Sequence, residues 1–206
     1  MPTSKNIFDG KILKILGLIL LLGGILLLAW LYLPLLKQEV IYRTYQVFPQ
    51  LKEDQGKKEI TPADQEFSLV IPKIEVNSKV FPNVDPTNSQ EYLPLLAKGV
   101  AQAKGSVNPG QEGNVFIFAH SSDTPLNASR YNAVFYLLNK LEKDDEIFVY
   151  YQQQKYSYKV KDKKILSPEK LNDYLKNLKG KILTLQTCYP PGTTINRLLI
   201  VADESF

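Results

Sequence analysis

The stretch KILTLQTCYPPGTTINRLLIVAD, residues 181–203, reads as two apolar, β-branched runs separated by a turn. KILTLQTC and RLLIVAD each have the composition of a strand. Tyr189-Pro190-Pro191-Gly192 cannot prolong the first, because proline lacks an amide donor and the Pro-Gly pair favours a turn. The strand that ends at Cys188 therefore returns, after residues 189–196, as a strand beginning at Arg197. Alternation along the strand puts Cys188 on the face of Gln186, Thr184 and Ile182, at the rim rather than in mid-core. A tight connection brings Arg197 within side-chain reach of Cys188.

The preceding sequence supplies more short strands. FSLVIPKIEV carries two β-branched stretches broken by Pro72, and GNVFIFAH, residues 113–120, suits a strand buried on both faces. Residues 146–151 and 156–160 read as two more strands; in the second, Tyr156, Tyr158 and Val160 alternate with Ser157 and Lys159. Helices are few. QEYLPLLAKGV holds a short one, and Val134, Leu137, Leu138 and Leu141 at helical spacing predict an amphipathic one over YNAVFYLLNKLEKDDE. Ser167 as cap, Pro168 at the first position and Glu169 in the first turn mark a third. Many short strands with a few short helices predict a mainly β barrel or sandwich.

At the other end, residues 15–36 carry no charge over 22 residues. At about 1.5 Å per residue such a helix spans a hydrocarbon layer of roughly 30 Å. The apolar core of a cleaved signal peptide is shorter and is followed by small residues, so a retained anchor is expected. Lys5, Lys11 and Lys14 precede the span and Lys37 and Arg43 follow it, which gives only a slight charge asymmetry. The expected organisation is a cytoplasmic N-terminus (1–14), a transmembrane helix (15–36), a polar tether (37–65) and a folded domain (66–206). Within the tether, VIYRTYQVF is apolar enough to prolong the helix or pack on the domain.

Composition narrows the chemistry. One cysteine among 206 residues allows no internal disulfide, and one histidine excludes a zinc site built mainly from His and Cys. The net charge of +4 is scattered, too weak a bias to indicate nucleic acid. The single Cys188, the single His120 and Arg197 all fall where strands meet loops, where binding and catalytic groups are commonly displayed. A thiolate attacks acyl carbon, a histidine supplies the leaving group's proton, and a cation holds the oxyanion. The plain alternatives are a buried, inert cysteine and a histidine with a structural role.

The same residues resemble the sortase family, in which T-L-x-T-C ends one strand and an arginine opens the next. IPKIEV resembles the family's opening strands, and KGVAQAKGSVNPGQEGNVFIFAH resembles the approach to its catalytic histidine. Phe135, Leu138, Leu141, Asp145, Ile147 and Val149 resemble F-x-x-L-x-x-L-x-x-G-D-x-I-x-V. Three departures stand out: Ser121 follows His120 where many members have Arg, Asp144 replaces the Gly of Gly-Asp, and Gln102 replaces a His of several members. The resemblance implies an eight-stranded β-barrel and a cysteine transpeptidase outside a bacterial membrane, with Cys188 as nucleophile, His120 as acid and base, and Arg197 as oxyanion holder. It implies substrates bearing a Leu-Pro-x-Thr-Gly-like signal, an amine acceptor from cell wall or pilin, and Thr187, Tyr189 and Pro190 along the peptide groove. No metal or organic cofactor is implied; some relatives bind calcium, but no ligand set with suitable spacing is apparent here. The short loop after the cysteine most resembles classes D and E. A thiol hydrolase and a non-catalytic assembly module are the competing classes.

Overall fold

The structure, a computed structural model, describes residues 10–47, 60–121 and 134–205. Outside them lie the first residues of the expected cytoplasmic terminus, the middle of the tether, most of the polar loop after His120 and the start of the helix expected from residue 131. Eight strands form a closed barrel in the order β1-β2-β3-β4-β7-β8-β6-β5, with β1 and β5 pairing to complete it. They are β1 (Phe67–Ile71), β2 (Val76–Val84), β3 (Val100–Ala103), β4 (Gly113–Phe118), β5 (Glu146–Tyr151), β6 (Gln154–Leu166), β7 (Lys181–Tyr189) and β8 (Asn196–Ser205). Two neighbouring pairs, β2/β3 and β4/β7, are parallel, and the rest are antiparallel.

Alternation makes the core. Leu69, Val80, Ile117, Ile147, Leu185 and Ile200, from six different strands, are completely buried and belong to one apolar cluster. Burial of each such side chain contributes roughly 1.5–3 kcal/mol. Pro72 divides the first β segment as its missing donor requires: residues Pro72–Ile74 form a single 3-10 turn between β1 and β2. Gly99 lies immediately before β3, where any side chain would collide with the Lys79 carbonyl on β2. Its missing Cβ is what lets β3 lie parallel against β2.

Among the described residues three α-helices accompany the barrel: α1 (Gly10–Val47), α2 (Ser89–Leu96) and α3 (Pro168–Lys176). Within α1 the most apolar stretch is Ile12–Trp30, of mean hydropathy 2.7 and with none of it buried. Its length and composition are consistent with a single-pass membrane anchor. The helix then runs past Leu36 to Val47, over the first part of the segment expected as tether. Lys140 reaches Glu39 of α1 at 3.5 Å, and Glu39 is also held by Arg43 at 2.9 Å.

The helix expected over residues 131–146 is not formed in its described part. Residues 134–137 are turns and Leu138–Lys140 is a 3-10 turn, closed by bonds from Leu138 to the Phe135 carbonyl and from Lys140 to the Leu137 carbonyl. The reason is burial. Phe135, Leu137, Leu138 and Leu141 are all inside the core, so the segment packs as a buried turn and not as a helix on the surface.

A strap of residues 61–64 lies along the barrel before β1. The Asn77 side chain holds it twice: its Oδ1 accepts from the Ala63 amide (2.7 Å), and its Nδ2 donates to the Thr61 carbonyl (2.9 Å). Asp64 pairs with Lys79 at 2.6 Å, and that hydrogen bond holds its carboxyl below the usual carboxylate range.

Asp144, at the family's glycine position, has φ +69°, in the left-handed region. Its amide donates to the Val160 carbonyl (2.8 Å), so the turn into β5 requires this conformation. Asp tolerates it better than most side chains, whereas a β-branched residue is strained there.

Two outcomes are expected. Asp144→Gly should unfold at the same denaturant concentration as the parent or higher, while Asp144→Val should lose about 1–3 kcal/mol. Asp64→Asn should destabilise the chain at neutral pH, because a lowered carboxyl pKa contributes stability above the unfolded value. That difference should fade as pH falls below about 4, as read from urea melts of both proteins at several pH values.

Candidate active site

Three strands converge on the site, and their registers fix which side chains meet. β4 runs parallel to β7 with Phe118 level with Gln186. The match continues beyond the end of β4: the Ala119 amide donates to the Gln186 carbonyl (3.1 Å), and the Thr187 hydroxyl donates to the Ala119 carbonyl (2.9 Å). One further residue on each chain sets His120 level with Cys188. On the other side of β7, Cys188 stands directly opposite Arg197 of β8. Directly opposed residues in such a pair have Cβ atoms about 4.5–5.5 Å apart.

Alternation also decides the face. Leu183 with Ala202 and Leu185 with Ile200 are cross-strand pairs in the barrel core. The next inward pair is Thr187 with Leu198, so Cys188 and Arg197 face outward. His120 and Cys188 are both half-buried, and the Nε2 atom of His120 is covered. The His120 carbonyl accepts from the Phe135 amide (3.4 Å), which ties the backbone at the site to the segment that leads into the 3-10 turn.

Arg197 is positioned by its own turn. Its Nη1 donates to the carbonyls of Thr194 (3.0 Å) and Asn196 (3.2 Å). A guanidinium carries five N–H donors, and among the described residues only Nη1 makes hydrogen bonds. The Tyr189–Pro190 peptide is cis, and the Thr193 amide and hydroxyl both donate to the Pro190 carbonyl (3.0 and 2.8 Å). The turn between β7 and β8 is thus tied together from within.

The three residues expected along the groove fall in different places. Pro190 is exposed at the turn. Tyr189 is half-buried and packs against the core cluster. Thr187 does not line an outer groove: it is fully buried on the inward face, where its hydroxyl bridges to the end of β4. Alternation accounts for the correction, since the neighbour of an outward Cys188 must point inward.

Gln102 is likewise structural. Paired with Ile117 and almost wholly buried, it donates to the Val107 carbonyl (2.9 Å) and to Asn108 Oδ1 (3.3 Å). Tyr92 is a neighbour of the site that its sequence does not advertise. From α2 its ring meets Phe118 at 6.1 Å and His120 at 6.5 Å between centroids, both edge-on.

The family profile described as the Sortase domain matches residues 69–205, two thirds of the chain and the whole barrel from β1 onward. The chain belongs to the sortase family. It is accordingly a cysteine transpeptidase, of a family that acts on proteins bearing sorting signals and passes them to amine acceptors. Solved structures place the sortase barrel among its relatives. Sortase C-1 from Actinomyces oris is 25% identical with a TM-score of 0.56, over 82% of this chain and 97% of that one. A Clostridium perfringens sortase D5 transpeptidase is 22% identical with a TM-score of 0.54, over 77% and 89%. Sortase A from Corynebacterium diphtheriae (lid mutant) is 23% identical with a TM-score of 0.55, over 69% and 71%. Comparison with curated proteins gives no match.

The Thr187 bridge generates a prediction. Thr187→Val keeps the shape but leaves the buried Ala119 carbonyl without its donor, costing about 1–3 kcal/mol. Because that carbonyl precedes His120, acylation by the enzyme should also slow. A denaturant melt and a single-turnover acylation assay on the same variant check both effects.

Proposed function

We propose that this sortase is a membrane-anchored transpeptidase in which Cys188, His120 and Arg197 are the catalytic groups. In this reading the N-terminus is cytoplasmic and the barrel lies outside the cell. The observation that carries it is the shared register of β4, β7 and β8, which brings the only thiol, the only imidazole and one guanidinium to adjacent outward positions. Lys5, Lys11 and Lys14 ahead of the uncharged run of residues 15–36, and the apolar stretch of α1, support the anchoring.

The substrate is an exported protein with a Leu-Pro-x-Thr-Gly-like signal. The Cys188 thiolate attacks the threonine carbonyl, and the developing oxyanion is held by Arg197 N–H donors. As the C–N bond breaks, His120 gives its proton to the departing glycine amine. A thioester to Cys188 remains. An amine from a cell-wall precursor or a pilin lysine then attacks it, His120 takes the proton, and Cys188 leaves as thiolate. The short turn between β7 and β8 supports a class D- or E-like enzyme, with Pro190 and the outer side of Tyr189 bordering the peptide groove.

Incubating the full-length chain in detergent micelles with a sorting-signal peptide and an amine acceptor should give an acyl-enzyme and an amide product. Mass spectrometry should find the thioester on the parent and none on Cys188→Ala. Arg197→Lys keeps the charge but loses the planar donor set, and should lower acylation by roughly 10²-fold. Adducts on Cys188→Ala would sink the nucleophile assignment. Free acid as the only product at high amine concentration would instead indicate water as acceptor.

A further inference from the structure

We propose that Tyr92 is a positioning residue for His120: its ring edge fixes the plane of the imidazole for proton transfer to the leaving amine. The proposal rests on the reading of His120 as the acid of the site.

Tyr92 lies on the second turn of α2, with its amide bonded to the Asn88 carbonyl (3.1 Å). It is half-buried and packs against the core cluster. Phe118 and His120 are two apart in sequence, so they share the outer face at the end of β4. One tyrosine ring spans both, at interplanar angles of 84° to Phe118 and 61° to His120. Edge-to-face contacts of this kind favour one ring orientation several-fold.

α2 is itself held firmly at its start. Asp85 Oδ1 accepts from the Thr87 amide (2.8 Å) and hydroxyl (2.7 Å), while Glu91 Oε1 accepts from the Asp85 amide (3.2 Å). These bonds fix the entry to the helix one turn before Tyr92. β4 ends at Phe118, two residues before His120. Tyr92 supplies restraint from a second element. A poorly oriented imidazole still sits beside the thiol, but its N–H no longer points where the amine departs.

Leaving-group dependence isolates this role. Expulsion of an amine needs a proton from His120, whereas a p-nitrophenyl ester of the same acyl group expels a phenolate that needs none. For the full-length chain in micelles, Tyr92→Ala should slow single-turnover acylation by the peptide about 10-fold and by the ester less than 2-fold, with the peptide KM unchanged. Tyr92→Phe keeps the ring edge and should match the parent on both substrates. Tyr92→Leu preserves bulk without the aromatic edge and should show the same selective loss, to a smaller degree. Thermal melts of each variant identify any that do not fold.

Equal losses on peptide and ester would make Tyr92 a general structural residue and overturn the proposal. So would a rise in KM alone, which marks contact with the substrate, or a Tyr92→Phe variant as impaired as Tyr92→Ala. His120→Ala separates the two levels. If it shows no peptide-to-ester selectivity, the assignment of His120 as acid fails and the proposal falls with it. Selectivity in His120→Ala but in none of the Tyr92 variants refutes the role of Tyr92 alone.

Discussion

Two strands that run the same way emerge at the same rim of a barrel, and the parallel pairing of β4 with β7 exploits that geometry. An antiparallel neighbour would end at the opposite rim, and His120 and Cys188 would be separated by the length of a strand. The pairing also fixes the level of the two side chains, because six successive residues of β4 match six of β7. A slip by one residue would turn Cys188 into the core and bring Thr187 outside. The Thr187-to-Ala119 hydrogen bond closes the register beyond the last paired residue of β4. Strand direction, register and this bond together define the outer face on which the chemistry is built.

Much of this was legible in the sequence, for identifiable reasons. β4, β7 and β8 are nearly continuous apolar runs bounded by turn residues, and β6 alternates over Tyr156, Tyr158 and Val160. Cys188, His120 and Arg197 stood out because two are unique in composition and all three fall at strand ends. β3 was not legible: Val-Ala-Gln-Ala is only four residues long, and alanine and glutamine carry little preference for a strand. Residues 134–141 misled in the other direction, because helical spacing says nothing about whether a segment lies on the surface or inside the core. Phe135, off the expected stripe, is as deeply buried as Leu138. Tyr92 could not be found either, since its contact depends on how α2 settles against β4.

Two of the departures from the family pattern, Asp144 and Gln102, have local explanations. Asp144 keeps the left-handed turn that glycine would provide, with Asp a side chain able to adopt that conformation. Gln102 faces the barrel interior and ties down the chain at Val107 and Asn108, away from the outward site. Neither substitution bears on the outward arrangement of thiol, imidazole and guanidinium.

The two halves of the site differ greatly in what their assembly costs in chain entropy. Cys188 and Arg197 face each other across a hairpin, nine residues apart, so their meeting closes a short loop. The bond that secures the histidine end joins residues 68 apart, from Thr187 to Ala119. Loop closure over the longer distance costs on the order of 2 kcal/mol more. The thiol and the guanidinium are thus a local pair, while the imidazole arrives only with the long-range closure of the barrel. A hairpin alone carries the thiol and the guanidinium without the imidazole, so the complete constellation belongs to the folded barrel and not to any fragment of it.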